Sequence, residues 1–316
     1  MRVRRIAITL GDPAGIGPEI VLKSLLSKEV AEVCTPVLVG DRAVLDEAAD
    51  RFGMGAVLGE AEVIAPGIIG HRGFAKNVPT EEGGRACAAY IEEAVGMALR
   101  GEVDAVVTAP ISKEALKRAN LPWPGHTEML AELTGTRDFA MMLVGGPLRV
   151  ILVTIHTALR NVPALVTRER VLRTITLAGR ACAMMGIVSP RIAVAGLNPH
   201  AGESGIFGME EQDSISPAVR DAQAAGIPVS GPYPADALFH RMYRGDFDIV
   251  VCMYHDQGLI PLKMIAFDRG VNITVGLPII RTSPDHGTAY DIAWKGEANP
   301  SSMIAAIRMA SVLKKI

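Results

Sequence analysis

The constraint that most narrows the fold is an alternation: strand-length apolar runs are followed repeatedly by helix-forming segments, and several runs end in turns rich in reactive side chains. Arg5 to Leu10 is one such run, closed by Gly11-Asp12-Pro13-Ala14-Gly15-Ile16-Gly17-Pro18, where Pro18 suits the first turn of a helix. Thr35 to Gly40 precedes a helix that Asp41 would cap and that runs to about Phe52. Asp104 to Thr108 leads, past Ala109-Pro110, to a helix starting at Ser112, and Thr80 and Thr167 begin longer helices ending near Gly101 and Gly186. Strands alternating with helices imply parallel pairing with right-handed crossovers, so the fold class is α/β. Two segments depart from the pattern. Gly53 to Pro79 has mixed signals and is expected to be loop with short strands, whereas Phe139 to Val144 and the next apolar run flank Gly145-Gly146-Pro147 as a hairpin-like pair.

Three of the apolar runs deliver a histidine. His255 stands at the foot of Phe247 to Cys252, His156 follows Leu148 to Ile155, and His200 follows Arg191 to Leu197 after Asn198-Pro199. Ligands of open α/β sheets bind beyond the carboxyl ends of the strands, so three such histidines can meet around one metal ion. Their spacing does not demonstrate it, and each taken alone reads as an ordinary loop histidine. His240 falls inside a helix begun by Asp236 and is by spacing a helix-surface residue.

Composition excludes several classes. The net charge of -2 and the lack of a basic run beyond Arg2, Arg4 and Arg5 give no footing for nucleic acid. No apolar stretch reaches the roughly 18 residues of a membrane span. No secretory leader is recognisable, so a soluble, cytoplasmic protein is expected. Cys34, Cys87, Cys182 and Cys252 form no C-x-x-C pair, which leaves buried free thiols as the expectation. The first glycine turn does not match G-x-G-x-x-G, so a Rossmann dinucleotide fingerprint is rejected.

Leu121-Pro122-Trp123-Pro124-Gly125 halts any regular element and is the expected domain crossing. His126-Thr127-Glu128 then opens a helix whose free amide groups suit an anion, with Thr127 as a simple cap being the alternative. Later come Lys263, a strand Val271 to Val275 carrying Asn272, and Arg281 after a glycine-proline turn. Asn299 is placed to cap the last helix, with Pro300 as its first residue.

These motifs together resemble the 4-hydroxythreonine-4-phosphate dehydrogenases and their relatives that oxidise 4-phosphothreonate or 4-phosphoerythronate. The resemblance runs over nearly the whole chain: GDPAGIGPEI from Gly11, PGHTE from Pro124, NPHAGE from Asn198, MYHDQG from Met253, GVNIT-GLP-IRTS from Gly270 and DHGTA from Asp285. Both ends are also similar to the isocitrate and isopropylmalate dehydrogenase superfold, which implies a two-lobed α/β fold with an active-site cleft between the lobes. The implied lobes are residues 1–124 plus 271–316 on the cofactor side and 125–270 for metal, substrate and dimerisation.

The family's metal ligands carry over onto His156, His200 and His255, and its substrate contacts onto His126, Thr127, Lys263, Asn272 and Arg281. Its cofactor loop implies His286, Gly287, Ala289, Asp291 and Asn299, while Lys263 and Asp256 are the candidates for acid–base chemistry. The resemblance thus implies NAD, with NADP possible, and a divalent metal, with Zn favoured by all-imidazole ligation and Mg, Mn or Co possible. It also implies a small phosphorylated hydroxy-acid substrate and a homodimer whose active sites are shared between subunits.

The residue types suit the chemistry. Three neutral imidazoles leave open positions on a metal ion, which then lowers the pKa of a bound alcohol. Arg281 offers a fork matched to phosphate, although surface ion pairing is the common use of any arginine or lysine. An acyl-phosphate transferase and a non-catalytic metabolite-binding module are the competing readings. Formation of NADH from a phosphorylated hydroxy acid and a divalent metal separates all three.

Overall fold

A computed structural model describes residues 3–70 and 72–316. Its strands are β1 (Arg4–Thr9), β2 (Cys34–Val39), β3 (Glu62–Ile64), β4 (Ala105–Thr108), β5 (Ala140–Gly145), β6 (Leu148–Leu152), β7 (Ile192–Ala195), β8 (Val229–Tyr233), β9 (Ile249–Cys252), β10 (Val271–Val275) and β11 (Arg281–Pro284). The chain divides into two units, Met1–Arg137 with Leu277–Lys315, and Asp138–Gly276. The helix His126–Leu133 stays in the first unit, so the turn at Pro122 to Gly125 lies within that unit.

In the first unit the strand order is β3-β2-β1-β4-β11, and every pair among them is parallel. Parallel strands covered on both faces cannot alternate apolar with polar residues, and β4 is accordingly buried along its whole length. Ile6, Ile8, Val37, Leu38, Val106 and Val107 have no exposed surface. The long helix Glu81–Leu99 begins where Thr80 Oγ1 accepts from Gly83 N at 2.9 Å, and Ser112 Oγ accepts from Ala115 N at 3.1 Å to start the helix Lys113–Arg118. Both caps fall at the positions expected from sequence.

Asp41 occupies the N-cap position of the helix Arg42–Phe52, but its carboxylate does not cap it. Instead it accepts from the backbone N–H groups of Gly67 (2.6 Å), Ile68 (3.2 Å) and Ile69 (2.6 Å) and from the Tyr90 hydroxyl (2.9 Å). A buried carboxylate stays in place when several donors replace its water, and here three come from a distant loop and one from the helix Glu81–Leu99. That loop region also holds a helix, Gly55–Glu60, between Gly53 and β3 that the mixed local signals did not reveal.

In the second unit the order is β10-β5-β6-β9-β7-β8, with β10–β5 and β5–β6 antiparallel and the remainder parallel. The β5–β6 hairpin matches the expectation for the Gly145-Gly146-Pro147 turn. Leu143, Val150, Leu152, Val250 and Cys252 share a core with Leu259 and Leu262 of the helix His255–Ala266. Truncating one such leucine to alanine costs about 2–5 kcal/mol. All four cysteines are free and buried, and burial pushes the Cys34 thiol up to about 11 and Cys182 up to about 12. No helix among the described residues is long and apolar enough to cross a membrane.

Candidate active site

In the first unit the glycine turn after β1 docks the C-terminal loop. A side chain at Gly11, whose φ is 65°, would stand 2.2 Å from the Pro110 carbonyl, and one at Gly17 would stand 2.0 Å from that of Leu10. Only glycine permits these approaches. The turn then donates from Ile16 N to Thr288 O at 3.0 Å, and Asp12 Oδ2 accepts from the Tyr290 hydroxyl at 2.5 Å. Burial raises the Asp12 pKa, partly opposed by the donors Tyr290 and Ala14 N. Glu19, 1% exposed, accepts from Gly296 N and Ala298 N, while Lys23 donates to the carbonyls of the same two residues.

The opposite side of this loop stays open. His286, Gly287 and Asp291 are exposed, Ala289 is half-buried with φ 42°, and a side chain on Gly287 would meet nothing within 4 Å. A carboxylate and an imidazole on an accessible, tethered loop fit the hydroxyl and ring groups of an adenosine. Asn299 is engaged locally: its Oδ1 accepts from Ser301 N at 3.0 Å and from Ser301 Oγ at 2.7 Å. The helix Ser301–Val312 has Pro300 at its N-cap position, so Asn299 caps from one residue further out than expected.

A cluster of buried donors lies in the same unit. Arg281, the first residue of β11 and 1% exposed, donates from Nη2 to Thr108 Oγ1 at 2.6 Å. Burial pushes its guanidinium down to about 9. His126, the first residue of its helix, has Nε2 buried without a hydrogen-bond partner among the described residues. Its pKa is held well below the usual histidine value, first by burial and then by Arg281. The imidazole is therefore neutral at physiological pH. Thr127 is 6% exposed beside it. A guanidinium, a neutral imidazole and the amides of a helix start are a set of donors suited to a phosphate dianion.

The second unit carries the histidines. His255 opens the helix His255–Ala266, and its Nδ1 lies 2.7 Å from Asp256 Oδ1. His156 faces it with ring centroids 5.7 Å apart, and both line an open pocket of about 510 Å³ with Tyr254, Asp256 and Leu159. A carboxylate on Nδ1 leaves His255 Nε2 as the nitrogen that could ligate a metal ion.

His200 sits elsewhere, exposed, in the turn Pro199–Gly205, with its ring 6.0 Å from Phe207. His200, Ala201, Glu203 and Ser204 all have positive φ, between 42° and 56°. Left-handed backbone at four such residues is costly, on the order of 1–2 kcal/mol each, and persists only where the surroundings enforce it. Buried Glu211 does so by accepting from Leu197 N and Asn198 N, both at 2.7 Å. No group of three or more His, Cys, Asp or Glu side chains among the described residues is placed to hold a metal ion. The chain thus brings His156 and His255 together and leaves His200 apart.

Lys263 lies half-buried on the His255 helix, its ammonium 5.7 Å from the Phe267 ring centroid. Asn272 on β10 has a buried Oδ1 without a hydrogen-bond partner among the described residues. Gln257, part of the MYHDQG motif but given no role by it, accepts from Met253 N and donates to Gly196 O, both at 2.7 Å. It thereby ties the ends of the two strands that deliver His255 and His200.

Comparison with known proteins places the chain in a family. The family model for the pyridoxal phosphate biosynthetic protein PdxA matches residues 32–310. The chain belongs to the PdxA family. A 4-hydroxythreonine-4-phosphate dehydrogenase of Desulfosudis oleivorans is 51% identical, the match covering 96% of this chain and 94% of that protein. A D-threonate 4-phosphate dehydrogenase of Salmonella typhimurium is 46% identical over 99% of this chain and 100% of its own. The crystal structure of a 4-hydroxythreonine-4-phosphate dehydrogenase from Burkholderia phymatum superposes with a TM-score of 0.87 at 42% identity, covering all of both chains.

Within this PdxA-family chain, Thr108 is the contact that sequence reading missed. It was legible only as the end of a strand. Its place beside Arg281 follows from the β4–β11 pairing, in which Arg281 is in register with Val106 and Thr282 with Val107.

Proposed function

We propose that this chain is a cytoplasmic, metal-dependent, NAD-linked dehydrogenase that oxidises and decarboxylates a small 4-phosphorylated 3-hydroxy acid. The candidate substrates are 4-hydroxythreonine 4-phosphate and 4-phosphothreonate, the substrate classes in the names of its relatives. The observation that carries this reading is the buried Arg281 beside His126, whose buried Nε2 has no hydrogen-bond partner among the described residues. In the reaction, Arg281 and the amides at the start of the His126 helix would bind the phosphate, with Thr127 and Asn272 completing the substrate contacts.

His156 and His255 fit a divalent metal ion as two of its ligands. His200 would be supplied to that ion by a second copy of the chain, which accounts for its separation from the other two. Exposed Ile206, Phe207 and Met209 beside the His200 turn, and Ile260 and Met264 on the His255 helix with Phe267 just past its end, offer the apolar surface such a homodimer needs. When bound, the ion would acidify the substrate hydroxyl and stabilise negative charge on its oxygen. Asp256 would hold the proton on His255 Nδ1 and so present Nε2. A hydride would pass from the alcohol carbon to NAD and the hydroxyl proton to solvent; carbon dioxide would then leave the keto acid, and the carbon that keeps its bonding pair would take a proton, for which Lys263 Nζ is the proposed donor. His286, Gly287, Ala289, Asp291 and Asn299 would form the NAD side.

The test is to add each phosphorylated substrate with NAD and Zn, Mg, Mn or Co, and follow NADH absorbance and carbon dioxide release side by side. NADH and carbon dioxide in equal amounts from one of the two substrates is the expected result. Absence of NADH with every metal and both cofactors overturns the reading.

A further inference from the structure

The loop from His286 to Gly296 carries a bulky side chain where its backbone resists one. Trp294 has φ 62° and is 2% exposed. A glycine would adopt this backbone freely, so contacts of the ring must hold the tryptophan in it. Its Nε1–H donates to Pro13 O at 2.9 Å, on the turn after β1. The ring meets Phe52 at 6.0 Å and the edge of Phe74 at 5.5 Å, and the Lys76 ammonium stands 4.2 Å from the Phe74 centroid and 4.9 Å from that of Trp294. Arg51 Nε donates to the Trp294 carbonyl at 2.5 Å.

The segment between is tightly wound. Ile292 N and Ala293 N both donate to Ala289 O, at 3.1 and 3.0 Å, and Asn77 Nδ2 donates to the carbonyls of Tyr290 and Ala293. Asp291 therefore projects from a turn fastened at its inner side, three residues before the ring.

We propose that Trp294 is a positioning residue for the dinucleotide cofactor: wedged between Pro13, Phe52 and Phe74, it holds the loop so that His286, Gly287 and Asp291 form one surface before the cofactor arrives. The inference rests on the reading of this loop as the cofactor's place. A loop ordered in advance loses little conformational entropy on binding, whereas a released loop must be ordered by the ligand and binds it more weakly.

Calorimetric titration of NAD into wild-type protein, Trp294→Gly and Trp294→Phe tests the wedge. Trp294→Gly relaxes the backbone and removes the ring, and its NAD Kd should rise roughly tenfold or more; Trp294→Phe keeps an aromatic group without the indole donor and should show a rise of roughly threefold. The KM of the phosphorylated substrate at saturating NAD should stay at the wild-type value. Equal Kd in all three proteins overturns the proposal, and so does a rise in both the NAD Kd and the substrate KM with a fallen melting temperature, the sign of general loosening. A wild-type protein that binds neither NAD nor NADP overturns the cofactor reading itself. Should Trp294→Gly fail to fold, Trp294→Phe and Phe74→Leu decide the matter, because both loosen the wedge without unpacking the loop, and an unchanged Kd in both overturns it.

Discussion

The two units treat their reactive groups in opposite ways. In the first, Arg281 is 1% exposed and bonded to Thr108, and the C-terminal loop is tied down through Asp12, Glu19, Asn77 and Trp294. In the second, His156 and His200 are exposed, and the turn bearing His200 is left-handed at four residues other than glycine. A buried guanidinium must be held by the chain itself, because desolvation of a charge is tolerable only with fixed donors and acceptors nearby. An exposed imidazole can wait for something else to organise it. The comparison teaches that the first unit fixes Arg281 and the C-terminal loop by its own contacts, while the second leaves His156 and His200 exposed and in no group able to hold a metal ion among the described residues.

The sharpest way to break this comparison is through the histidines. His255→Ala should reduce kcat to below about a thousandth while leaving a cooperative melting transition, since several kcal/mol of charge stabilisation would be lost. His200→Ala should do the same. If each metal site draws His200 from a second copy, mixing and refolding the two inactive variants should restore about a quarter of wild-type activity, because half the dimers would be mixed and each would hold one intact site. A mixture that stays inactive would place all three ligands in one chain or remove His200 from the site.

Next in size is Arg281. Arg281→Ala should raise KM for the 4-phosphorylated substrate roughly 100-fold, the cost of removing one partner from a buried charge-assisted contact, and should leave KM for the dephosphorylated analogue nearly unchanged. Equal effects on both compounds would take Arg281 out of the phosphate role.

Asp291 should give a smaller effect. An exposed carboxylate near the ribose disfavours an added phosphate, so kcat/KM should favour NAD over NADP by roughly tenfold, and Asp291→Asn should narrow the gap. A wild-type preference for NADP would reverse the assignment.

The smallest effect concerns pH. The folded-state pKa of His126 is depressed below the histidine value, so below about 6.5 the unfolded chain binds a proton that the folded chain resists. Stability from this residue is fully present above that pH and is lost as the pH falls toward the folded-state value. Denaturant midpoints measured over that range should therefore decline with acidification, and His126→Asn should flatten the decline. An identical slope in the variant would mean that His126 titrates normally.

Much of this was legible in the sequence wherever the deciding contact is local. Thr80, Ser112 and Thr167 cap their helices because a hydroxyl reaches the amide three residues on whatever the rest of the chain does. Apolar runs became strands, and the turn at Gly145 to Pro147 became a hairpin, because period and turn chemistry act within a few residues. The histidines at strand ends and Arg281 could likewise be singled out by type and place.

Tertiary structure decided the rest, where a side chain's partner is far away in sequence. Asp41 stands at an N-cap yet binds the amides of Gly67, Ile68 and Ile69, which no local rule foresees. Thr108 meets Arg281 only because β4 and β11 pair, and Trp294 accepts a left-handed backbone only because Pro13, Phe52 and Phe74 surround its ring. That His156 and His255 approach each other while His200 stands apart was equally beyond the sequence. Spacing along a chain counts residues, whereas ligation and packing depend on which surfaces the fold brings within a few ångströms.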